Sequence, residues 1–358
     1  MNHTLINIFQ ALINQTNNKI FYLKSNELLS EAKAHQFKVI NFKKVLNIIK
    51  NLTEEITNSD QLKNFKGVGP GILKRIDEIL NTGTLQELDT SSNNVIPDQE
   101  SQVIKDLQRI TGIGPAKAHK LYSDNITLTL LLEHLPYLGS DDEYLDQLTH
   151  HQLIGLKYFH DLEKRIPRKE ISSIEKKLKK YCHNYDPKLL INICGSYRRG
   201  AKDSGDIDVL ITHQDVTSWK DLDDSNIFLK EIIHHLTIKE LLIDHLTNQG
   251  NTKYMGICQN SKKSTPRRID IRFIPMESLA PAMLYFTGSG EFNKNMRTFA
   301  LKHGYTINEY AIFKTKKVGH KVEKNFKIIV NNEKEIFELL KIPYLEPIER
   351  TRHILFNT

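Results

Sequence analysis

Cysteine is scarce in this 358-residue chain: Cys182, Cys194 and Cys258 are the only three. They are scattered and odd in number, which excludes a disulfide framework, and none has the paired spacing of a zinc site. A reducing, intracellular compartment is the simplest reading. Cys194 and Cys258 sit in the apolar stretches INICGS and MGICQ and are read as buried strand residues. No stretch approaches the ~18 consecutive apolar residues of a membrane helix, so no membrane partner is expected. The opening residues, MNHTLINIFQALINQTNNK, lack the basic start, apolar run and small-residue cleavage site of a signal peptide. Acidic side chains fall short of basic ones, 43 against 50, and the formal charge is +7. Lys and Arg that neutralise phosphates release counterions, so this balance favours polyanionic partners. Taken alone the excess is weak evidence, because the abundance of Lys, Asn and Ile equally fits an AT-rich genome.

The hydrophobic fraction of 39% and charged fraction of 26% are ordinary for a folded soluble protein. The length leaves room for two to four compact units. Up to about residue 90 the pattern is helical: LINIFQALI, then LLSEAKAHQFKVINFKKVLNIIKNL, then GILKRIDEILNTG, each with apolar positions near the 3.6-residue period. The stretch DTSSNNVIPDQES, residues 89–101, has the Ser, Asn, Asp and Pro of a linker. A second helical block runs to Pro167. Beyond it the period changes: a helix (ISSIEKKLKKY), strands (LLINICGS, DIDVLITH, KYMGICQ, RRIDIRFIP), an intervening helix around IFLKEIIHHL, and a carboxyl-terminal mixture of helix and short strands. The expected class is therefore multidomain α+β, with an all-helical front half. Within it, KKLKK at 176–180 reads as a solvated helix face or as a nuclear signal.

Two segments share one shape. KNFKGVGP (residues 63–70) and QRITGIGP (residues 108–115) each run apolar-x-Gly-apolar-Gly-Pro between helices. Gly67 and Gly69, and Gly112 and Gly114, permit a tight turn and close backbone approach, and Pro suits the first position of the next helix. Exposed amides at that helix start can meet a phosphate. Basic residues stand nearby: Lys63, Lys74 and Arg75 in one case, Lys117 and Lys120 in the other. A plain helix–helix turn also commonly contains Gly; two copies with lysines point to helix-hairpin-helix binding of DNA backbone. Similar turns elsewhere hold a monovalent cation, Na⁺ or K⁺, through backbone carbonyls, an option open to both turns here that no side chain would reveal.

The densest chemistry lies in CGSYRRGAKDSGDIDVL, residues 194–210. Asp206 and Asp208, two apart on a strand, project from one face, while Ile207 and Val209 point into a core. Two carboxylates side by side repel unless a cation sits between them, and hard oxygen ligands suit Mg²⁺. RRIDIRF (residues 267–273) alternates in the same way and offers Asp270 beside Arg268 and Arg272. If the two strands are neighbours, Asp270 completes a three-carboxylate site for two metals ~4 Å apart, which activate an attacking oxygen and stabilise a leaving phosphate. Asp270 is the residue placed to assist proton loss. Gly195 and Ser196 stand at a strand end, where glycine admits a phosphate, Ser196 donates a hydrogen bond and Arg199 neutralises charge. A lone D-x-D is ordinarily a solvated strand edge; the GS step, the basic pair and the third Asp set this one apart.

These motifs resemble the nucleotidyltransferase superfamily and, more narrowly, family X DNA polymerases of the polymerase β type. GSYRRGAKDSGDIDVLITH, HHQLIGLKYFHDLEKRIPR, GNTKYMG, RRIDIRFIP, YFTGSGEFNKNMRTFALKHGYTINEY and YLEPIER carry the likeness, which spans nearly the whole chain. The resemblance implies a lyase-like helical domain at 1–92, a helical DNA-binding subdomain at 93–167, a catalytic palm with a mixed or antiparallel sheet at 168–276 and a nucleotide-selection subdomain at 277–358. It implies a monomer that fills gaps or nicks in duplex DNA with deoxynucleoside triphosphates, using two Mg²⁺ ions or Mn²⁺ in their place. Asp206 and Asp208 would bind both metals and Asp270 the catalytic one. Arg165, Ser196, Arg199 and Gly205 would contact the triphosphate. Tyr285, Phe286 and Gly288 would face the sugar, Asn295 the base or its minor-groove edge, and Arg297 the template. Lys38, Lys63, Lys253, Arg268 and Lys294 would lie along DNA. The compartment would be intracellular, nuclear or virus-associated.

Two positions depart from the family pattern. Where its lyase uses a lysine to form a Schiff base, ungapped reading from GVG places Arg75, whose guanidinium stays protonated and is a poor nucleophile. Lys74, the remaining lyase candidate, is turned ~100° away by one helical step. Gly290 replaces an acidic residue near the nucleotide pocket. The stretch between Tyr254 and Arg268 is short, and Tyr285-Phe286 stands where template-independent relatives carry Gly-Trp; both argue for copying a template. The competing readings are a template-independent transferase and a non-catalytic DNA-end-binding scaffold.

Overall fold

The computed structural model describes residues 2–25, 28–52, 54–65, 67–88, 99–225, 228–247, 250–318, 321–351 and 356. Most of the expected linker, 89–98, the expected boundary at 92 and Lys66 of the first hairpin lie outside the described residues. The chain divides into two compact units, Met1–Lys105 and Asp106–Thr358.

The first unit is helical. α1 (His3–Ser25) and α2 (Leu29–Asn51) pack along their apolar stripes, and α3 (Pro70–Thr82) closes the bundle. Phe9, Leu12, Val45, Ile49, Ile76 and Ile79, spaced at helical intervals, form its fully buried centre. A turn from Ser59 to Leu62 leads into the first glycine hairpin.

α4 (Gln99–Leu107) spans the division between the units. The second unit continues with α5 (Pro115–Ser123), α6 (Leu128–His134), α7 (His150–Lys157) and α8 (Phe159–Leu162). α7 starts in a capping box: Thr149 Oγ1 accepts from the Gln152 amide and Gln152 Oε1 accepts from the Thr149 amide. The same Gln152 side chain donates to the Gly112 carbonyl at 2.9 Å, so one residue both starts the helix and holds the second hairpin. Gly155 lies directly over that hairpin, where a Cβ would collide with the Thr111 carbonyl. α7 also reaches the sheet domain through Lys157 Nζ and Asp244 Oδ2, 2.8 Å apart.

The sheet domain comprises β1 (Ile166–Pro167), α9 (Arg168–Tyr185), β2 (Leu189–Ile193), α10 (Gly195–Arg198), β3 (Asp203–Ser204), β4 (Ile207–His213), α11 (Trp219–Ser225), α12 (Phe228–Ile238), β5 (Leu242–His245), β6 (Lys253–Cys258) and β7 (Arg267–Phe273). Five strands form one mixed sheet in the order β2-β4-β7-β6-β5, with β4 and β7 parallel and every other pair antiparallel. β1 and β3 make a separate two-stranded ladder. Ile207, Val209 and Ile211 of β4 and Ile269, Ile271 and Phe273 of β7 turn into a core closed by Ile171, Ile174 and Leu178 of α9 and Ile232, Ile233 and Leu236 of α12. All three cysteines are buried and unpaired. The lysine run at 176–180 is an ordinary helix face: Leu178 is buried, Lys177 donates to the Asn260 carbonyl and Lys179 pairs with Glu175 at 2.7 Å. β5 and the β1–β3 ladder escaped the sequence pattern, since two to four residues are too few to show a period.

The last region holds α13 (Leu279–Thr287), α14 (Gly290–Lys302), β8 (Tyr305–Ile307), β9 (Ile312–Val318), β10 (Lys321–Ile328) and α15 (Glu333–Leu339). Its three strands form an antiparallel sheet in the order β10-β9-β8, and Phe292, Met296, Ile312, Ile336 and Phe337 fill its core. Among the described residues no helix is long and apolar enough to cross a membrane.

The collision predicted at Gly155 is testable. Gly155→Ala is expected to destabilise the protein by about 1–3 kcal/mol through overpacking against backbone. Gly290→Ala, with no atom within 4 Å of its Cβ position, should leave the thermal midpoint nearly unchanged. Equal midpoints for the two variants would remove the packing argument.

Candidate functional site: a carboxylate cluster on paired strands

Asp208 of β4 stands directly across from Asp270 of β7 in the parallel register, and Asp206 precedes β4 by one residue rather than lying within it. Each of the three offers an oxygen, and these oxygens all lie within 4.8 Å of one another. Cys194 donates its amide to the Asp208 carbonyl at 2.8 Å, which fixes the end of β2 beside the cluster. Gly195 follows at φ +56, and a Cβ there would collide with Asp208 Oδ2. The glycine of the GS step is thus required by the carboxylate itself, in addition to any phosphate.

The electrostatics are unfavourable by construction. Burial, and then the neighbouring Asp270 charge, raise the Asp208 pKa to about 6. Burial likewise raises Asp270, against the pull of Arg268, Arg272 and His151. Asp270 Oδ1 is buried and accepts no hydrogen bond; the Arg268 Nε, also without one, is 3.9 Å away. Three hard, crowded carboxylates with an orphaned buried oxygen are a donor set that fits divalent cations. Arg268 is one of the residues expected along DNA. Its guanidinium forms an ion pair with Asp206 here, because residues 268, 270 and 272 alternate onto one face of β7.

Around the cluster, Ser196 Oγ donates to Ser204 Oγ at 2.7 Å, and Ser204 is buried in the β1–β3 ladder. Arg165 precedes that ladder, donates from Nε to Asp203 Oδ1 at 2.7 Å and places Nη1 3.1 Å from where a Gly205 Cβ would be. Arg199 reaches the end of α13: Nη1 donates to the Thr287 carbonyl at 2.6 Å and lies 3.3 Å from the Cβ position of Gly288. Its Nε is buried without a partner, and burial lowers the guanidinium pKa.

Arg198 makes the second bridge to the last region. It donates to Thr287 Oγ1 and forms an ion pair with Glu333 at 2.5 Å, and Glu333 also pairs with the fully buried Arg350 at 2.6 Å. Neither Glu333 nor Arg350 was singled out from the sequence.

Tyr285 and Phe286 meet edge to face, with centroids 5.2 Å apart. The Arg272 guanidinium lies 5.7 Å from the Phe286 ring centre. Both aromatics and Lys253 border a small cavity with Trp219, Glu309 and Tyr310. A second cavity of about 400 Å³ is lined by Tyr285, Gly290, Asn293, Lys294, Arg297, Thr298, Leu301 and Thr306. Asn295 is absent from that lining. Asn293 takes the place expected for it, donating to the Tyr285 carbonyl at 2.6 Å. Two residues along a helix turn a side chain ~200°, so Asn293 and Arg297, four apart, share the face that Asn295 leaves.

The glycine hairpins repeat one hydrogen-bond pattern. In the first, the Phe65 amide donates to Leu62 and the Val68 amide to Phe65; in the second, Ile110 donates to Leu107 and Ile113 to Ile110. Gly67 and Gly112 have φ of +104 and +93, and Gly69 and Gly114 cap α3 and α5. Lys63 is 3.5 Å from Asp60. Lys117 is turned inward to the Gln147 carbonyl, which leaves Lys120 as the exposed lysine of that pair. Beside the first hairpin, Lys38, Asn41, Phe42, Gly71 and Arg75 line a cavity of about 220 Å³. Arg75 is fixed there by Glu87 at 2.5 Å, by the Gly71 carbonyl at 2.8 Å and by the Phe42 ring 5.5 Å from its carbon. Lys74 is exposed and does not line the cavity.

Fold and site together define a nucleotidyltransferase-type palm carrying a carboxylate triad, accompanied by two helix-hairpin-helix turns. Family models agree: one described as DNA polymerase beta palm matches residues 165–276, DNA polymerase beta thumb matches 282–351, a helix-hairpin-helix domain matches 2–85, and the fingers domain of DNA polymerase lambda matches 105–163. The chain is 31% identical over 346 residues to DNA polymerase lambda of Rattus norvegicus, covering 94% of this chain and 56% of the relative. It is 30% identical over 322 residues to DNA polymerase lambda of Arabidopsis thaliana, covering 87% and 57%. A DNA nucleotidylexotransferase of Ambystoma mexicanum is 24% identical over 373 residues, covering 93% and 69%. The chain spans a little over half the length of the two lambda relatives. It belongs to the family X DNA polymerases.

A carboxyl whose folded-state pKa is raised contributes stability that is complete below its unfolded value and lost as pH rises through the folded one. For Asp208 that window runs from about 4 to about 6. Without divalent cations, Asp208→Asn should therefore melt higher than the parent at pH 7.5 and alike at pH 4. Magnesium should close the gap by stabilising the parent. A parent that melts higher at pH 7.5 without metal would contradict the assigned strain.

Proposed function

We propose that this chain is a template-directed DNA polymerase that fills short gaps in duplex DNA, joining the primer 3′ oxygen to the α-phosphorus of a deoxynucleoside triphosphate with release of pyrophosphate. The observation that carries this reading is the register of β4 and β7, which sets Asp208 opposite Asp270 with Asp206 alongside. Asp206 and Asp208 would hold two Mg²⁺ or Mn²⁺ ions and Asp270 one of them; such ions lower the pKa of an attacking oxygen and neutralise charge on the leaving phosphate. Asp270, its pKa raised by burial and its Oδ1 unengaged, takes the proton of the primer hydroxyl. Arg165, Ser196, Arg199 and Gly205 bind the triphosphate. Tyr285, Phe286 and Gly288 meet the sugar, and the bulk of the aromatic pair excludes a ribose hydroxyl. Asn293, which lines the cavity, meets the base edge in place of Asn295; Arg297 and Lys294 follow the template, and Lys253 contacts DNA. Gly67, Gly69, Gly112 and Gly114 present backbone to phosphate, with Na⁺ or K⁺ as the bound cation. The domain limits fall at 92, 167 and 276, and the protein acts as a monomer in the nucleus or with a virus.

Lyase chemistry is disfavoured, since the cavity beside the first hairpin presents a guanidinium and an exposed Lys74 outside it. Template independence is disfavoured by the short connection between β6 and β7, from Cys258 to Arg267.

On a one-nucleotide gap, Asp270→Ala is expected to drop extension below detection while DNA affinity is retained; undiminished extension would overturn the assignment. Extension of a single strand without template would instead favour the transferase reading. On an incised abasic site, borohydride should trap no covalent adduct with the parent, whereas Arg75→Lys, which supplies an amine inside the cavity, should gain trapping. An adduct in the parent that is lost in Lys74→Ala would restore the lyase.

A further inference from the structure

We propose that the hairpin of β9 and β10 is a second nucleic-acid contact, a basic β-ribbon that engages the phosphate backbone of duplex DNA away from the carboxylate cluster. Between Lys314 and Lys327 the sequence carries six lysines and one acid, Glu323. That is +5 of the chain's +7, so the other 344 residues carry only +2 between them. The basic excess noted in the composition is therefore concentrated in one element, and the functions assigned above make no use of it.

The placement of the charge matters as much as its amount. Lys314 and Lys316 alternate onto one face of β9, while the register pairs Lys324 with Thr315 and Lys327 with Phe313, on the other face. Glu323 stands opposite Lys316 in the register, and Lys314 and Lys316 outnumber it on that face, so the ribbon is positive on both sides. Lys316 and Lys324 are exposed, and among the described residues neither is in an ion pair. Aromatic rings support the amines: Lys314 Nζ lies 4.1 Å from the Tyr305 ring centre and Lys324 Nζ 4.6 Å from that of Phe313. Lys327 pairs with Glu277 at 2.6 Å and roots the ribbon on the segment that follows β7. The ladder shifts between Lys324 and Lys327, and Phe326 is left 57% exposed beside the lysines.

Lysine on an edge strand also deters pairing with foreign sheets. That accounts for Lys324 on β10 and for Lys316, which lies past the end of β8, but not for Lys314, which pairs with Tyr305 on the inner part of β9. A two-stranded ribbon matches the ~12 Å width of a DNA major groove, and lysines on both of its faces can reach both groove walls. The identity of the polyanion rests on the DNA polymerase reading; the charge pattern does not.

The test uses the full chain and its K316Q/K324Q variant. Affinity for a long ungapped duplex is measured by anisotropy between 50 and 200 mM salt. Losing two phosphate contacts should flatten the log–log slope by about 1.8, so the fourfold salt increase costs the parent roughly twelvefold more affinity than the variant. K316R/K324R should keep the parent slope, and extension on a minimal gapped substrate should be the same for all three proteins. An unchanged slope in K316Q/K324Q overturns the proposal. So does loss of poly-glutamate binding in that variant with the DNA slope retained, because the ribbon would then dock an acidic protein. Failure of the parent to extend any gap would sink the polymerase reading alone, since the salt slopes are read without catalysis.

Discussion

Parallel pairing of β4 with β7 places two carboxylates side by side on adjacent strands, and most of the second unit is arranged around that repulsion. Asp208 and Asp270 lie opposite each other with Asp206 at the strand entrance. Burial makes their charges costly, and the compensation from described residues comes mainly from arginines, with His151 also acting on Asp270. Arg268 and Arg272 flank Asp270 on its own strand face, and Arg199 approaches Asp208 from the turn after β2. The site is held charged and crowded by a rigid sheet whose other face is packed with isoleucine. A site kept in that condition is prepared for multivalent cations, and its strain has no structural use without them.

The same turn after β2 couples the palm to the last region. Arg198 and Arg199 are neighbours with different tasks. One reaches the Glu333–Arg350 pair in the core of that region, and the other reaches the carbonyl that ends α13. A buried arginine–glutamate–arginine group is a weak source of stability by itself, because desolvation offsets much of the attraction. What it supplies is geometry. It sets the end of α13, with Tyr285 and Phe286, at a fixed distance from the turn after β2, and α14 follows with Asn293 and Arg297 on the cavity side.

In the first unit a single side chain sets the chemistry open to the cavity beside the hairpin. The hairpin, the helix start and the cavity are all present, yet the side chain that enters the cavity is a guanidinium clamped by Glu87 and Gly71. Such a group binds anions well and attacks carbonyls poorly. The cavity thus presents a positive charge and no amine, since Lys74 lies outside its lining.

The sequence by itself determined what depends on a few consecutive residues. The strand alternation of residues 207–209 and 267–273, the helical stripes, and the two Gly-x-Gly-Pro turns all follow from local backbone geometry and appear where their patterns indicated, although β4 starts one residue after Asp206. The opposition of Arg75 and Lys74 was legible too, since it needs only the ~100° step of a helix. Tertiary structure decided the rest. That Asp270 meets Asp208, that Arg268 turns to Asp206, and that Arg198 finds Glu333 135 positions away are facts of strand order and packing. Helix phase set Asn293 and not Asn295 at the cavity, because the face that lines the cavity is chosen by what α14 packs against. Local pattern fixes which way a side chain leaves its own element. It carries no record of which distant element will lie there, because that is set by how the apolar faces close together.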